Sequence, residues 1–315
     1  MKRLVLVIGA LALVAGVVGA QATDFLELAK TGTPAQVQAA IKAGADAKAR
    51  GELRETALIL AAASNPNPEV ISVLLKAGAD LEARDMMDHT ALLAAAESNS
   101  NPEVITTLLK AGADIEVWYH DSLTPLALAA MSNPNPEVIL TLVKTGADVN
   151  ERTGDGFTAL MIAARFNMNP AIHAALLEAG ADVRIRATSG VTALMVAAER
   201  NSPEVITVLL NAGAGINDRD EAGWTPLMWA SDSDPEVTAV LLKAGADINR
   251  RSKDGSTALM VKATLANPEV VTALLEAGAD AKARNSDGKT AFDCAKDNPK
   301  LKGTDAYWKL NDARF

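Results

Sequence analysis

Three histidines and a single cysteine leave catalytic constellations little material in this chain of 315 residues. His89 and His120 are flanked by Asp88 and Asp121, a set of nitrogen and oxygen ligands that could hold a divalent metal if the four side chains converged. Nothing in their spacing forces convergence, and exposed polar side chains are the plainer reading. His173 stands alone. Gly288-Lys289-Thr290 has the ending of a phosphate-binding loop, but the glycine required five residues before Gly288 is replaced by Ala283. Cys294 on its own excludes an internal disulfide and any zinc site built on several thiolates. No metalloprotease helix, nucleophile elbow or dinucleotide fingerprint occurs, so the chain is read as not an enzyme, with no cofactor and no metal.

The residues that repeat are of another kind. Arg50, Arg84, Arg152, Arg186, Arg219, Arg251 and Arg284 each stand six residues after a glycine, and Trp118 holds the remaining place in the series. Such a ladder could read an acidic partner, because a guanidinium pairs with carboxylates through two parallel hydrogen bonds. The alternative is pairing at home, with Asp85, Asp218 or Asp220. The formal charge of −9, or −11 without Lys2 and Arg3, gives no electrostatic footing for nucleic acid.

What positions these residues is an internal repeat. A Thr-Ala-Leu, Thr-Pro-Leu or Thr-Ala-Phe triplet begins at Thr56, Thr90, Thr124, Thr158, Thr192, Thr225, Thr257 and Thr290, at spacings of 34, 34, 34, 34, 33, 32 and 33. Each threonine follows a turn glycine by twelve residues, and each turn glycine follows a proline by ten. The residue before each proline (Thr33, Asn67, Asn101, Asn135, Asn169, Ser202, Asp234 or Asn267) is a helix N-cap type. Proline at the first helical position loses no needed N–H, and the glycine ends the helix in the left-handed conformation. Val70, Ile71, Leu74 and Leu75 give this helix an apolar face wide enough for neighbours on both sides. A second, alanine-rich helix starts at the triplet, and the polar stretch between glycine and threonine reads as a hairpin-like finger. Only the triplet-to-proline stretch varies, from twelve residues to ten, so the loop between the two helices absorbs every insertion.

Asp155-Gly156-Phe157-Thr158-Ala159-Leu160, then Ala163-Ala164, Leu176-Leu177 and Gly180-Ala181-Asp182 resemble an ankyrin repeat, and the resemblance covers about Thr23 to Phe315. It implies an all-α ankyrin-repeat solenoid of paired antiparallel helices with hairpin-like fingers. The single domain, 23–315, includes an atypical first repeat and a C-terminal capping helix with Tyr307, Trp308 and Leu310 facing inward. Two departures stand out. The histidine usual after Thr-Pro-Leu is replaced throughout, which removes its bonds between neighbouring turns. The finger glycine is replaced by Arg54, Asp88 and Ser122 in the first three fingers.

The resemblance further implies a protein-binding scaffold that uses its concave face. In that register Met86, Met87, His89, Trp118, Tyr119, His120, Phe157, Arg165, Phe166 and Trp224 project from fingers or from the outer side of a first helix, and are assigned to protein binding. Trp229 and Cys294 fall at core places. Met1-Lys2-Arg3, the apolar run Leu4 to Val18 and Gly19-Ala20-Gln21-Ala22 have the three parts of a secretory signal peptide over 1–22, with an uncut anchor as the competing reading. The Asn-Pro-Glu-Val starts and the stretch from Gly303 to Asp312 are similar to exported bacterial ankyrin proteins. The expectation is therefore a periplasmic or secreted monomer with a protein partner. A secreted effector acting on foreign proteins, and a metal-binding or enzymatic module, are the rivals.

Overall fold

The computed structural model describes residues 24–313 apart from Asp121 and Asn201, so the expected signal peptide, 1–22, lies outside the described residues. The chain divides into two compact units, Met1–Asp148 and Val149–Phe315. The first holds α1 (24–31), α2 (Pro34–Lys42), α3 (Ala57–Ser64), α4 (Pro68–Lys76), α5 (Ala91–Ser98), α6 (Pro102–Lys110), α7 (Pro125–Ser132) and α8 (Pro136–Lys144). The second holds α9 (Ala159–Phe166), α10 (Pro170–Glu178), α11 (Ala193–Arg200), α12 (Pro203–Asn211), α13 (Pro226–Trp229), α14 (Pro235–Lys243), α15 (Ala258–Leu265), α16 (Pro268–Glu276), α17 (Ala291–Ala295) and α18 (Asp305–Ala313). Within each unit, triplet helices stack on triplet helices and proline helices on proline helices.

The repeated residues form these elements for local reasons. The hydroxyls of Thr56, Thr90, Thr124, Thr225, Thr257 and Thr290 each accept the backbone N–H three residues on, which caps the triplet helix. Asn67, Asn101, Asn135, Asn169 and Asp234 cap the proline helices through the N–H two residues on. Asn267 makes no such bond, contrary to the expectation from its type. Each proline helix ends at a left-handed glycine such as Gly78, φ +87°. Val70, Ile71 and Leu74 are fully buried, as are their counterparts in α6 and α8. At the C-terminus α18 lies on α16 and α17 and buries Ala306 and Leu310. Trp308 corrects the sequence reading, because it is 54% exposed.

The fingers turn back on themselves through isolated antiparallel bridges such as Arg50 with Thr56. From Gly156 onward a glycine supplies the positive φ at the tip; a Cβ on Gly223 would stand 2.9 Å from the Lys253 nitrogen of the next finger. Arg54 and Asp88 adopt the same left-handed conformation without glycine, at φ +62° and +68°. In the third finger the left-handed residue is His120, φ +47°, two places before Ser122.

Two side-chain ladders join neighbouring repeats. Arg50 donates to the carbonyl oxygen of Arg84 at 2.9 Å, and Arg84 to that of Trp118 at 3.1 Å. In the second unit Arg152, Arg186, Arg219 and Arg251 donate in the same way to Arg186, Arg219, Arg251 and Arg284. The arginines are thus held by the finger backbones. Of the expected home carboxylates Asp218 does pair, with Arg186, and Asp88 pairs with Arg84, but among the described residues the feature common to the ladder is the bond to the next finger's carbonyl. The second ladder is buried asparagine. Asn99 Nδ2 donates to Ala62 O and Asn65 O at 2.8 and 2.9 Å, while its Oδ1 accepts from Asn101 N at 2.9 Å. Asn65, Asn133 and Asn298 bond likewise. Bonds between neighbouring repeats therefore persist without the usual histidine, carried by other residues.

His173 occupies the place of Ile71, Ile105 and Ile139 in the core and is fully buried, its Nδ1 3.1 Å from Asn169 O. Burial lowers its pKa below the ordinary 6.5, so the native state favours the neutral ring. The sign follows from proton uptake. Below about pH 6.5 the unfolded chain takes up a proton that the folded chain still refuses, so stability falls as pH falls and is fully present above that pH. Urea melts between about pH 5 and 8 should show this slope, and His173→Ile should remove part of it. The same slope in both proteins would acquit His173.

Candidate protein-binding surface

In the first unit the exposed large apolar side chains among the described residues gather at two finger tips. Leu53, Met86 and Met87 are 57, 62 and 56% exposed, and Met86 N donates to Leu53 O at 2.8 Å, which sets the two tips side by side. The left-handed turns at Arg54 and Asp88 hold these neighbours outward. Arg84 fixes Asp88 at 2.7 Å and keeps its carboxyl below the usual range. Leu53 was missed by sequence reasoning, although it stands at the same finger place as Met87.

His89 corrects its assignment to an exposed surface, for it is buried. Its ring stacks on Tyr119 with centroids 4.7 Å apart, and its Nδ1 lies 3.6 Å from Asp85 Oδ2. Nε2 lies 3.2 Å from Glu97 Oε2 without the alignment of a hydrogen bond. Burial, then the carboxylates of Glu97, Asp85 and Asp88, push the Tyr119 phenol pKa up. His120 is exposed, and its backbone N–H is donated to Asp88 Oδ2 at 3.3 Å. The imidazole of His89 thus packs on Tyr119 with the carboxylates of Asp85 and Glu97 nearby. Among the described residues no group of three or more His, Cys, Asp or Glu could hold a metal, and Asp121 lies outside them. Trp118 and Tyr119 are half-buried, so they offer less surface than the register implied.

In the second unit Phe166 is 58% exposed at the end of α9, with the Arg165 guanidinium 5.5 Å from its ring centroid. Met168, in the loop that follows, is equally open and was not foreseen. Phe157 and Trp224 are half-buried. Trp224 meets Trp229 edge to face at 6.3 Å, and Trp229, expected in the core, is half-buried instead.

A family model of ankyrin repeats (3 copies) matches residues 25–118, 116–187 and 169–252, and one of ankyrin repeats (many copies) matches 241–295. The chain belongs to the ankyrin-repeat family, which makes it a protein–protein interaction module. No curated protein matches it.

Proposed function

We propose that the chain is an exported, non-enzymatic scaffold that binds a protein partner through its finger tips and the adjoining ends of its triplet helices. The observation that carries this is the apolar cluster of Leu53, Met86 and Met87 on two neighbouring tips. Contiguous apolar surface of this kind marks places that another surface covers, and methionine adapts its shape to a partner. Export rests on the leader-like sequence from Met1 to Ala22, which directs the module to the periplasm or beyond. The chain acts as a monomer in this reading.

Crosslinking and capture from intact cells of the native host, with the intact mass of the captured chain, tests both parts. The mature chain should begin near Thr23. Combining Met86→Ser with Met87→Ser should weaken partner binding by about tenfold or more while the melting temperature hardly changes, because both side chains are exposed. A membrane-bound chain starting at Met1 would replace export with anchoring. Undiminished binding by the double variant would remove the finger tips from the interface.

A further inference from the structure

The second unit contains one repeat that is built short. From Thr225 to Pro235 is ten residues, the shortest such stretch in the array, and α13 has four residues where α11 and α15 have eight. The chain leaves the helix at Ala230, φ −47° and ψ 148°, so the last turn is missing. A pocket of about 440 Å³ opens there, reaching from Glu199 and Arg200 at the end of α11 to Val261, Lys262 and Leu265 on α15. That volume lies within the range of pockets that bind small ligands or single side chains.

Apolar carbon shares the walls with Ser231 and with Glu199, Arg200, Asp232 and Lys262, and these charged groups pair with one another. Trp224, Met228 and Trp229 line the pocket, and Trp229 donates its indole N–H to Asp220 Oδ2 at 3.0 Å, so that N–H is already bonded. Leu265, 62% exposed, stands at the rim. Lys262 is buried; its Nζ donates to Ala230 O and, at 2.9 Å, to Asp232 Oδ1. It thereby meets the carbonyl freed by the missing turn. Arg200 Nε lies 3.4 Å from Glu199 Oε2. An entering cation or carboxylate would meet both signs, Lys262 and Arg200 beside Asp232 and Glu199, each already holding an opposite neighbour. Either would compete with an ion pair already formed, a cost that an apolar guest does not bear.

We propose that this pocket receives one uncharged apolar side chain, aromatic or long aliphatic, from a protein partner, seated where the last turn of α13 is missing. The choice of a protein as the source rests on the interaction-module reading; the chemistry of the guest rests on the pocket. Large side chains buried in such sockets carry a disproportionate share of interface energy.

The test uses the mature chain labelled with 5-fluorotryptophan, its four resonances assigned by single Trp→Phe variants. N-acetylphenylalaninamide and N-acetylleucinamide should shift the Trp224 and Trp229 signals saturably and leave Trp308 unmoved. N-acetyllysinamide and N-acetylglutamate amide should bind about tenfold more weakly or worse. Val261→Phe, which fills the pocket from its own wall, should abolish the shifts while the fluorine spectrum stays dispersed as in the folded protein. Equal response to charged and apolar amides, or an undiminished response in Val261→Phe, overturns the proposal. Trp224 and Trp229 signals that move on dilution of the protein alone would make a second copy the occupant and overturn the partner assignment. Apolar shifts without any captured cellular partner would sink the scaffold function and leave the pocket's chemistry standing.

Discussion

Asn99→Ala should lower the unfolding free energy by about 3 to 5 kcal/mol, far more than loss of a surface asparagine. The residue is 4% exposed and its amide makes three bonds, two of them to main-chain carbonyls of the preceding repeat. Alanine would leave the Ala62 and Asn65 carbonyls and the Asn101 N–H unpaired, and a buried polar group left unmatched costs about 1 to 3 kcal/mol. The comparison is Asn67→Ala, which removes only a helix cap and should cost about 1 kcal/mol. Urea melts of the two variants decide the matter. Losses of similar size would mean that water replaces the buried bonds and that the asparagine ladder contributes little.

The frame was legible because each of its signals repeats. Caps, prolines, glycines and apolar columns recur at one period, and each acts on residues within a few places of itself, which is what sequence reports well. The ladders were not legible for the opposite reason. Asn65 and Asn67 both precede a proline, yet Asn67 caps its own helix while Asn65 reaches the carbonyls of Ala29 and Gly32. A main-chain carbonyl has no residue type to announce it. The arginines misled in the same way, since their partners are finger backbones.

The site residues divide by a similar rule. Met86, Met87 and Phe166 are exposed where the register put them, because a finger tip or a helix end stays open whatever its neighbour does. His89 was misplaced although a signal existed: its column also holds Leu123 and Val191, types that favour burial, and Val191 is buried. Trp229 occupies a core place in a full-length helix, but its helix stops with it, and the ten-residue spacing to Pro235 was the sign. Register predicts burial only while the element that defines it persists.

Leu176→Ala should cost about 2 to 5 kcal/mol, and Lys76→Ala less than about 0.5 kcal/mol. Leu176 is fully buried on α10, and the same column holds Leu209, Leu241 and Leu274, each also fully buried. Helix α10 packs against both α9 and α12, and Leu176 is fully buried on it. The penalty should therefore exceed the transfer energy of the lost carbons and include a term for space left empty. Lys76 ends α4 with its side chain in water, and alanine there forfeits little beyond a favourable charge at the helix C-terminus. Denaturant melts with unchanged slopes would report the difference as stability alone. Equal losses at the two positions would contradict the repeat register itself, because one column is assigned to the core and the other to solvent by that register.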